Sequence, residues 1–133
     1  MQIIIFELED KHYAIKTDHV EEISRLLDIT PVPNAPYYIR GLINLRGNVI
    51  SLIEISKLLG VEMSSPYTNI IIVNVDDETV GMLVGDVWEV MEVQEDKIEV
   101  IDYSEEEEKG MVGIIQIQDR IINLIELEKC IPH

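Results

Sequence analysis

Side chains able to do chemistry are few in this sequence, and none is spaced for a reaction. The histidines are His12, His19 and His133: one in an expected turn, one near an expected strand end, one at the terminus. None stands at i, i+4 to another or beside carboxylates at ligand spacing, so no metal site is expected. Cys130 is the sole cysteine, which rules out an internal disulfide or a zinc cluster. Its setting, Leu127-Glu128-Lys129-Cys130-Ile131, reads as a buried small hydrophobe rather than a nucleophile. No serine lies in a Gly-x-Ser-x-Gly elbow. Gly41 and Gly47 frame a strand–turn–strand with no Lys-Ser/Thr after it, which is not a phosphate loop. Alternating calcium ligands closed by a Glu are absent. Carboxylates are plentiful, but most alternate with apolar residues along strands and so fall on solvated faces. The run Glu105 to Glu108 reads as a solvated loop. No catalytic residue, metal or cofactor is expected, and the function of such a chain lies in its surfaces.

Those surfaces are carried almost entirely by strands. Ile3–Phe6, Leu42–Leu45, Val49–Ile53, Ile70–Val73 and Ile121–Ile125 are short, rich in β-branched residues and bounded by turn formers. Glu9-Asp10-Lys11, Arg46-Gly47-Asn48, Asp76-Asp77-Glu78 and Gln118-Asp119-Arg120 read as hairpin turns. Pro36 to Arg40 predicts one short helical turn that Gly41 ends. Short strands with so little helix indicate a small barrel or sandwich.

Bulk properties narrow the class. A chain of 133 residues that is 47% hydrophobic can bury a core and suits one domain. No apolar stretch reaches the ~18 residues of a membrane helix, and the N-terminus lacks the basic and small-residue features of a signal peptide. A cytoplasmic protein that does not insert into a membrane is therefore expected. The formal net charge of −16 repels phosphate backbones and anionic lipid surfaces, which argues against nucleic acid or membrane as partner.

An internal repeat is the more informative feature. Residues 41–59 align with 113–131 without a gap, pairing Gly41 with Gly113, Ile43 with Ile115, Leu52 with Leu124, Glu54 with Glu126 and Lys57 with Lys129. Residues 2–23 align with 69–90, pairing Ile3-Ile4-Ile5 with Ile70-Ile71-Ile72, Val20 with Val87 and Glu22 with Glu89. The two offsets differ by five residues, placing a gain in the interval that holds Glu105 to Glu108. Two similar β-modules, roughly 1–66 and 67–133, are expected to pack as a single domain about an approximate twofold, with exchange of strands between them allowed. Alone, each is too small to be more than marginally stable.

The segment Tyr38-Ile39-Arg40-Gly41-Leu42-Ile43-Asn44-Leu45-Arg46-Gly47 resembles the signature of the CheW family. The likeness extends to Thr30-Pro31-Val32-Pro33 and to Val80-Gly81-Met82-Leu83-Val84-Gly85-Asp86-Val87. Ser51 stands where the family usually has Pro, and Glu54-Ile55 and Glu126-Leu127 stand where it usually has Asp-Leu. The resemblance implies an all-β fold of two SH3-like five-stranded barrels around a shared hydrophobic core, with one or two short helical turns. It also implies a non-enzymatic adaptor that couples chemoreceptor cytoplasmic tips to the histidine kinase CheA, whose regulatory domain has the same fold. The alternative is a CheW-like scaffold of another motility or two-component pathway, including a CheV-like relative without a receiver domain.

By register with the family, a receptor groove between the barrels is lined by Ile4, Thr17, Val20, Ile23 and Val87. Glu22, Arg40 and Arg46 are the polar residues of the docking surface, and Gly41 and Gly47 are turn glycines. Val20 and Val87, being repeat-equivalent, are expected to come one from each side and to lie close together with exposed side chains at the groove mouth. Glu22 and Arg46 are expected to form an ion pair that the second module, with Glu89 and Gln118, cannot make.

Overall fold

In the computed structural model, which describes residues 1–100 and 110–132, eleven strands and two short helices account for most of the chain. The strands are β1 (Gln2–Leu8), β2 (Lys11–Lys16), β3 (Val20–Arg25), β4 (Ile39–Leu45), β5 (Asn48–Glu54), β6 (Asn69–Val75), β7 (Glu78–Val84), β8 (Val87–Glu92), β9 (Ile98–Val100), β10 (Met111–Ile117) and β11 (Arg120–Ile125). The helices are α1 (Ile55–Leu59), after β5, and α2 (Leu127–Cys130), after β11. The acidic run Glu105 to Glu108 and His133 lie outside the described residues.

The strands form a six-stranded sheet, ordered β8-β1-β2-β11-β10-β9, and a five-stranded sheet, ordered β3-β6-β7-β5-β4. Neither sheet comes from one half of the sequence. The hairpin β1–β2 joins strands of the second repeat, and the hairpin β6–β7 joins strands of the first. The five-stranded order becomes the first five strands of the larger sheet when each strand is replaced by its repeat partner. The registers agree pair by pair. Val20 faces Val73 where Val87 faces Phe6. Gly41 faces Leu52 where Gly113 faces Leu124. Ser51 faces Val80 in one parallel pair where Asn123 faces Tyr13 in the other. Even the bulges recur, at Val20/Glu22 and in the β1–β8 pair, and at Ile39/Gly41 and Met111/Gly113. The architecture agrees with two SH3-like barrels; the sixth strand of the larger sheet is β9, whose counterpart beside β4 is a single bridge from Thr30 to Leu42.

This exchange explains the unbroken isoleucine runs. Ile4 and Phe6 of β1, and Ile71 and Val73 of β6, face a core shared by both sheets. Ile3 and Ile5 turn the other way into the six-stranded sheet's own core, as Ile70 and Ile72 do in the five-stranded one. A strand buried on both faces has no reason to alternate with polar residues. Each buried Ile contributes about 1.5–3 kcal/mol of transfer free energy.

All four hairpins form with two-residue connections, one residue tighter than the sequence predicts. Arg46 and Gly47 have φ of 51° and 88°, the pattern of a type I′ turn whose twist matches the strands. Gln118, the repeat partner of Arg46, has φ of 55°. The helical turn expected over Pro36–Arg40 is shorter than predicted: the Ile39 amide bonds the Pro36 carbonyl at 2.9 Å, and Ile39 and Arg40 already belong to β4. Gly41 does not stop a helix. It sits where β4 is crossed by the Thr30 segment, so that a Cβ there would lie 2.4 Å from the Thr30 carbonyl oxygen.

Candidate functional site

Paired residues of an antiparallel ladder point to the same face of the sheet. Val20 opposite Val73 and Ile23 opposite Ile71 therefore lie on the shared-core face of edge strand β3. Val87 opposite Phe6 and Val90 opposite Ile4 lie on the same face of edge strand β8. Val20 and Val87 are half-buried and pack against the shared core, while Ile23 is 39% and Val90 47% exposed. Together they present four aliphatic side chains along the rims of that core.

The positions singled out in the sequence fall unevenly on this rim. Val20, Ile23 and Val87 are on it. Ile4 is not available to a ligand: at 2% exposure it lies beneath the rim, because a central strand is covered on both faces. Thr17 sits in the single turn of 3-10 helix (Thr17–His19) that carries the chain from β2 to β3. Its hydroxyl donates to the Gln2 side-chain oxygen at 3.0 Å. Val90 escaped the sequence reading, although the repeat contains the signal that finds it, since Val90 is the partner of Ile23.

Around the rim, the arginine–carboxylate pairs among the described residues belong to the first module. Arg46 grips Glu22 through both guanidinium nitrogens, one of them 3.1 Å from Oε2 and the other on Oε1. The hydrogen bond from Arg46 lowers the Glu22 carboxyl below its ordinary range, with its charge adding to the effect. The expected pair thus forms, joining β3 to the β4–β5 turn. Asn44 holds that turn, its side-chain oxygen accepting from the Gly47 amide at 2.8 Å.

Glu54 overturns the expectation that strand carboxylates are solvated. It is 3% exposed. Arg40 donates to its Oε1 at 3.2 Å, Lys57 stands 3.6 Å away and the Tyr67 hydroxyl donates to Oε2 at 3.0 Å. Because the single Tyr67 proton goes to Glu54, the 2.6 Å contact between Tyr67 and Ser56 is a donation from the serine. Burial raises the Tyr67 hydroxyl pKa, which keeps it a donor. Arg40 is therefore tied to a buried carboxylate and not free on the surface. A second carboxylate, Glu9, accepts from the Ser64 and Ser65 amides, both at 2.6 Å, and from the Ser64 hydroxyl at 2.8 Å. The two carboxylates clip the connector between the modules, one onto each sheet.

Two further features have chemical interest. Trp88, at the β8 bulge, donates to Glu7 at 2.8 Å, lies under the Arg120 guanidinium at 4.4 Å and meets the His12 ring edge-on. His12 itself lies in β2, not in a turn. Cys130 is buried in α2, and its thiol pKa is pushed up to about 12, chiefly by burial and further by Glu128 and Glu126, so it carries no thiolate near neutrality. Among the described residues no group of three or more His, Cys, Asp or Glu could hold a metal ion, and no helix is long and apolar enough to cross a membrane.

Residues 2–133 match the CheW-like domain family. A curated relative, the chemotaxis protein CheW of Thermotoga maritima, is 29% identical over 133 residues, covering 99% of this chain and 88% of the relative. The chemotaxis protein CheW of Rhizobium meliloti is 32% identical over 135 residues, covering 98% and 87%. The crystal structure of the scaffolding protein TtCheW from Thermoanaerobacter tengcongensis superposes with a TM-score of 0.81 at 31% identity, covering 94% of this chain and 88% of that one.

Proposed function

The chain belongs to the CheW-like domain family, and from that premise we propose that it is a non-enzymatic, cytoplasmic adaptor coupling chemoreceptor cytoplasmic tips to the histidine kinase CheA. The observation that carries this reading is the aliphatic rim of Val20, Ile23, Val87 and Val90 on the two edge strands beside the shared core. An amphipathic helix docks by laying its apolar face along such a surface, and exposed apolar side chains gathered in one place mark interaction sites. In this reading the two modules act as one domain, with the helix lying between the rims. Glu22 and Arg46 form a polar border on the first module, and Arg40 holds the same module rigid from behind.

An adaptor needs two partners at once. A chemoreceptor cytoplasmic fragment and the CheA regulatory domain, each mixed with the chain and then both together, should give two binary complexes and one ternary complex by size-exclusion chromatography. Competition between the two partners, or failure to bind either, would overturn the reading.

A further inference from the structure

The repeat gives core positions twins, and among the unequal ones a group of three lies beside a chain crossing. Phe6, Leu8 and Met82 are all fully buried on one side of the shared core. Their twins are Val73, Val75 and Ile15, each smaller than its counterpart or differently shaped. The two chain crossings between sheets differ as well. The one at Gly85-Asp86 is bonded against β1, with the Gly85 amide donating to Glu7 at 3.0 Å and the Glu7 amide to Asp86 at 2.9 Å. A Cβ on Gly85 would come within 2.7 Å of the Glu7 carbonyl oxygen. Its twin crossing carries Asp18 in place of that glycine and forms a turn of 3-10 helix. A cavity of about 180 Å³ remains there, over Val73, Val75 and Ile15 and beside Val20.

This space is small against the ~300–1,000 Å³ of a ligand pocket for a drug-sized molecule, but it suits one side chain. Its floor is aliphatic. Its mouth carries three carboxylates, Asp18, Glu126 and Glu128, against one ammonium, Lys16; Lys129 also pairs with Glu126 at 3.3 Å. An acidic rim around an apolar floor favours a partner group that is apolar at its tip with a cation beside it. Val20 belongs both to the cavity and to the rim of the proposed receptor site, so the two surfaces are continuous.

We propose that this cavity is the socket for one large apolar side chain, carried next to a lysine or arginine on the docking helix of the receptor. The inference rests on the receptor-coupling reading and adds the chemistry of the anchoring residue. The docking helix inserts beside Val73, Val75 and Ile15, whereas their twins Phe6, Leu8 and Met82 are fully buried and the chain crossing there is bonded against β1. The unequal twins thereby set a direction for docking across the two rims.

Filling the socket tests this. Val73→Phe copies Phe6 and Val75→Leu copies Leu8, the latter at a half-buried position where folding is less at stake. Asp18→Lys reverses a charge at an exposed position. In titrations with a soluble chemoreceptor cytoplasmic fragment, each variant that unfolds at or above the wild-type temperature should bind at least tenfold more weakly. The Asp18→Lys loss should shrink as salt is added. Alanine scanning of the fragment should find one large apolar residue whose loss weakens binding to wild type but not to Val75→Leu. If wild type and Val20→Glu differ in affinity while Asp18→Lys and Val75→Leu bind as wild type does, the socket is wrong and the receptor reading stands. If wild type does not bind the fragment, both fall.

Discussion

Glu54 and Glu126 occupy the same position in the two repeats, and almost everything around them differs. Glu54 is buried under Arg40, Lys57 and Tyr67. Glu126 is 26% exposed on its side chain and pairs with Lys129 at 3.3 Å. Where the first repeat has Arg40 the second has Val112, and where the first has Ser56 the second has Glu128. The same holds at the turn, with Glu22 and Arg46 in one repeat and Glu89 and Gln118 in the other. Backbone register and aliphatic core are shared, because a one-residue slip would turn every strand inside out. Polar side chains escaped that constraint and diverged. The difference shows that the arginine–carboxylate pairs among the described residues belong to one module and that the unfilled space lies beside the other's α2.

The largest expected effect tests that contrast directly. Glu54→Ala removes a buried carboxylate and leaves the Tyr67 hydroxyl without its acceptor. It should destabilise by about 3 kcal/mol, the low end for breaking a buried pair because Arg40 and Lys57 can return to water. Glu126→Ala removes only a half-exposed i, i+3 pair whose lysine stands in water and should cost about 1 kcal/mol or less. Urea unfolding of both variants gives the comparison, and equal losses would break it.

Next are the twin glycines. A Cβ at Gly41 meets backbone, the Thr30 carbonyl oxygen at 2.4 Å, whereas at Gly113 it first meets the Ile98 side chain at 2.8 Å. Backbone cannot give way as a side chain can, so Gly41→Ala should cost about 2–3 kcal/mol and Gly113→Ala about 1 kcal/mol. Thermal unfolding orders the pair, and the reverse order would mean that the β4 edge yields more readily than the β9 edge.

The smallest effect is electrostatic. The Glu22 carboxyl is lowered by the hydrogen bond and charge of Arg46, and Glu9 by the Ser65 and Ser64 amides and the Ser64 hydroxyl. A lowered folded-state pKa means that the unfolded chain binds more protons in the acid range, so stability rises with pH there. The contribution is complete above the ordinary glutamate value of about 4.3 and is lost as pH falls through the folded-state values. Glu22→Gln should flatten part of the acid limb of a stability-versus-pH curve, and salt should weaken the wild-type pair.

What could be read from the sequence follows the same division. Central strands β1 and β6 were legible because both faces are apolar, and the four hairpin turns because each holds a turn former, Asp10, Gly47, Asp76-Asp77 or Asp119, beside apolar runs. Edge strands β3 and β8 were not legible as strands. Each buries one face only and carries a bulge, which scrambles the two-residue period. Glu54 looked solvated because it sits among alternating residues at the end of β5, while its partners Arg40 and Tyr67 are 14 and 13 residues away. A local pattern does not report a partner brought in by tertiary folding. Ile4 was expected to line a groove but is buried in the shared core, since family register identifies a strand without saying which neighbour covers it. Val90 was accessible only by applying the repeat to Ile23.

The central claim is that the rims of the shared core on β3 and β8 bind one receptor helix between them, so disturbing either rim should have the same consequence. Calorimetric titration of a chemoreceptor cytoplasmic fragment into wild type, Val20→Glu and Val87→Glu, with thermal unfolding of each, measures this. A carboxylate in the contact would be desolvated without a partner. Both variants should stay folded, because both side chains already meet water, and both should lose binding by a hundredfold or more. Wild-type affinity in either folded variant would contradict the claim.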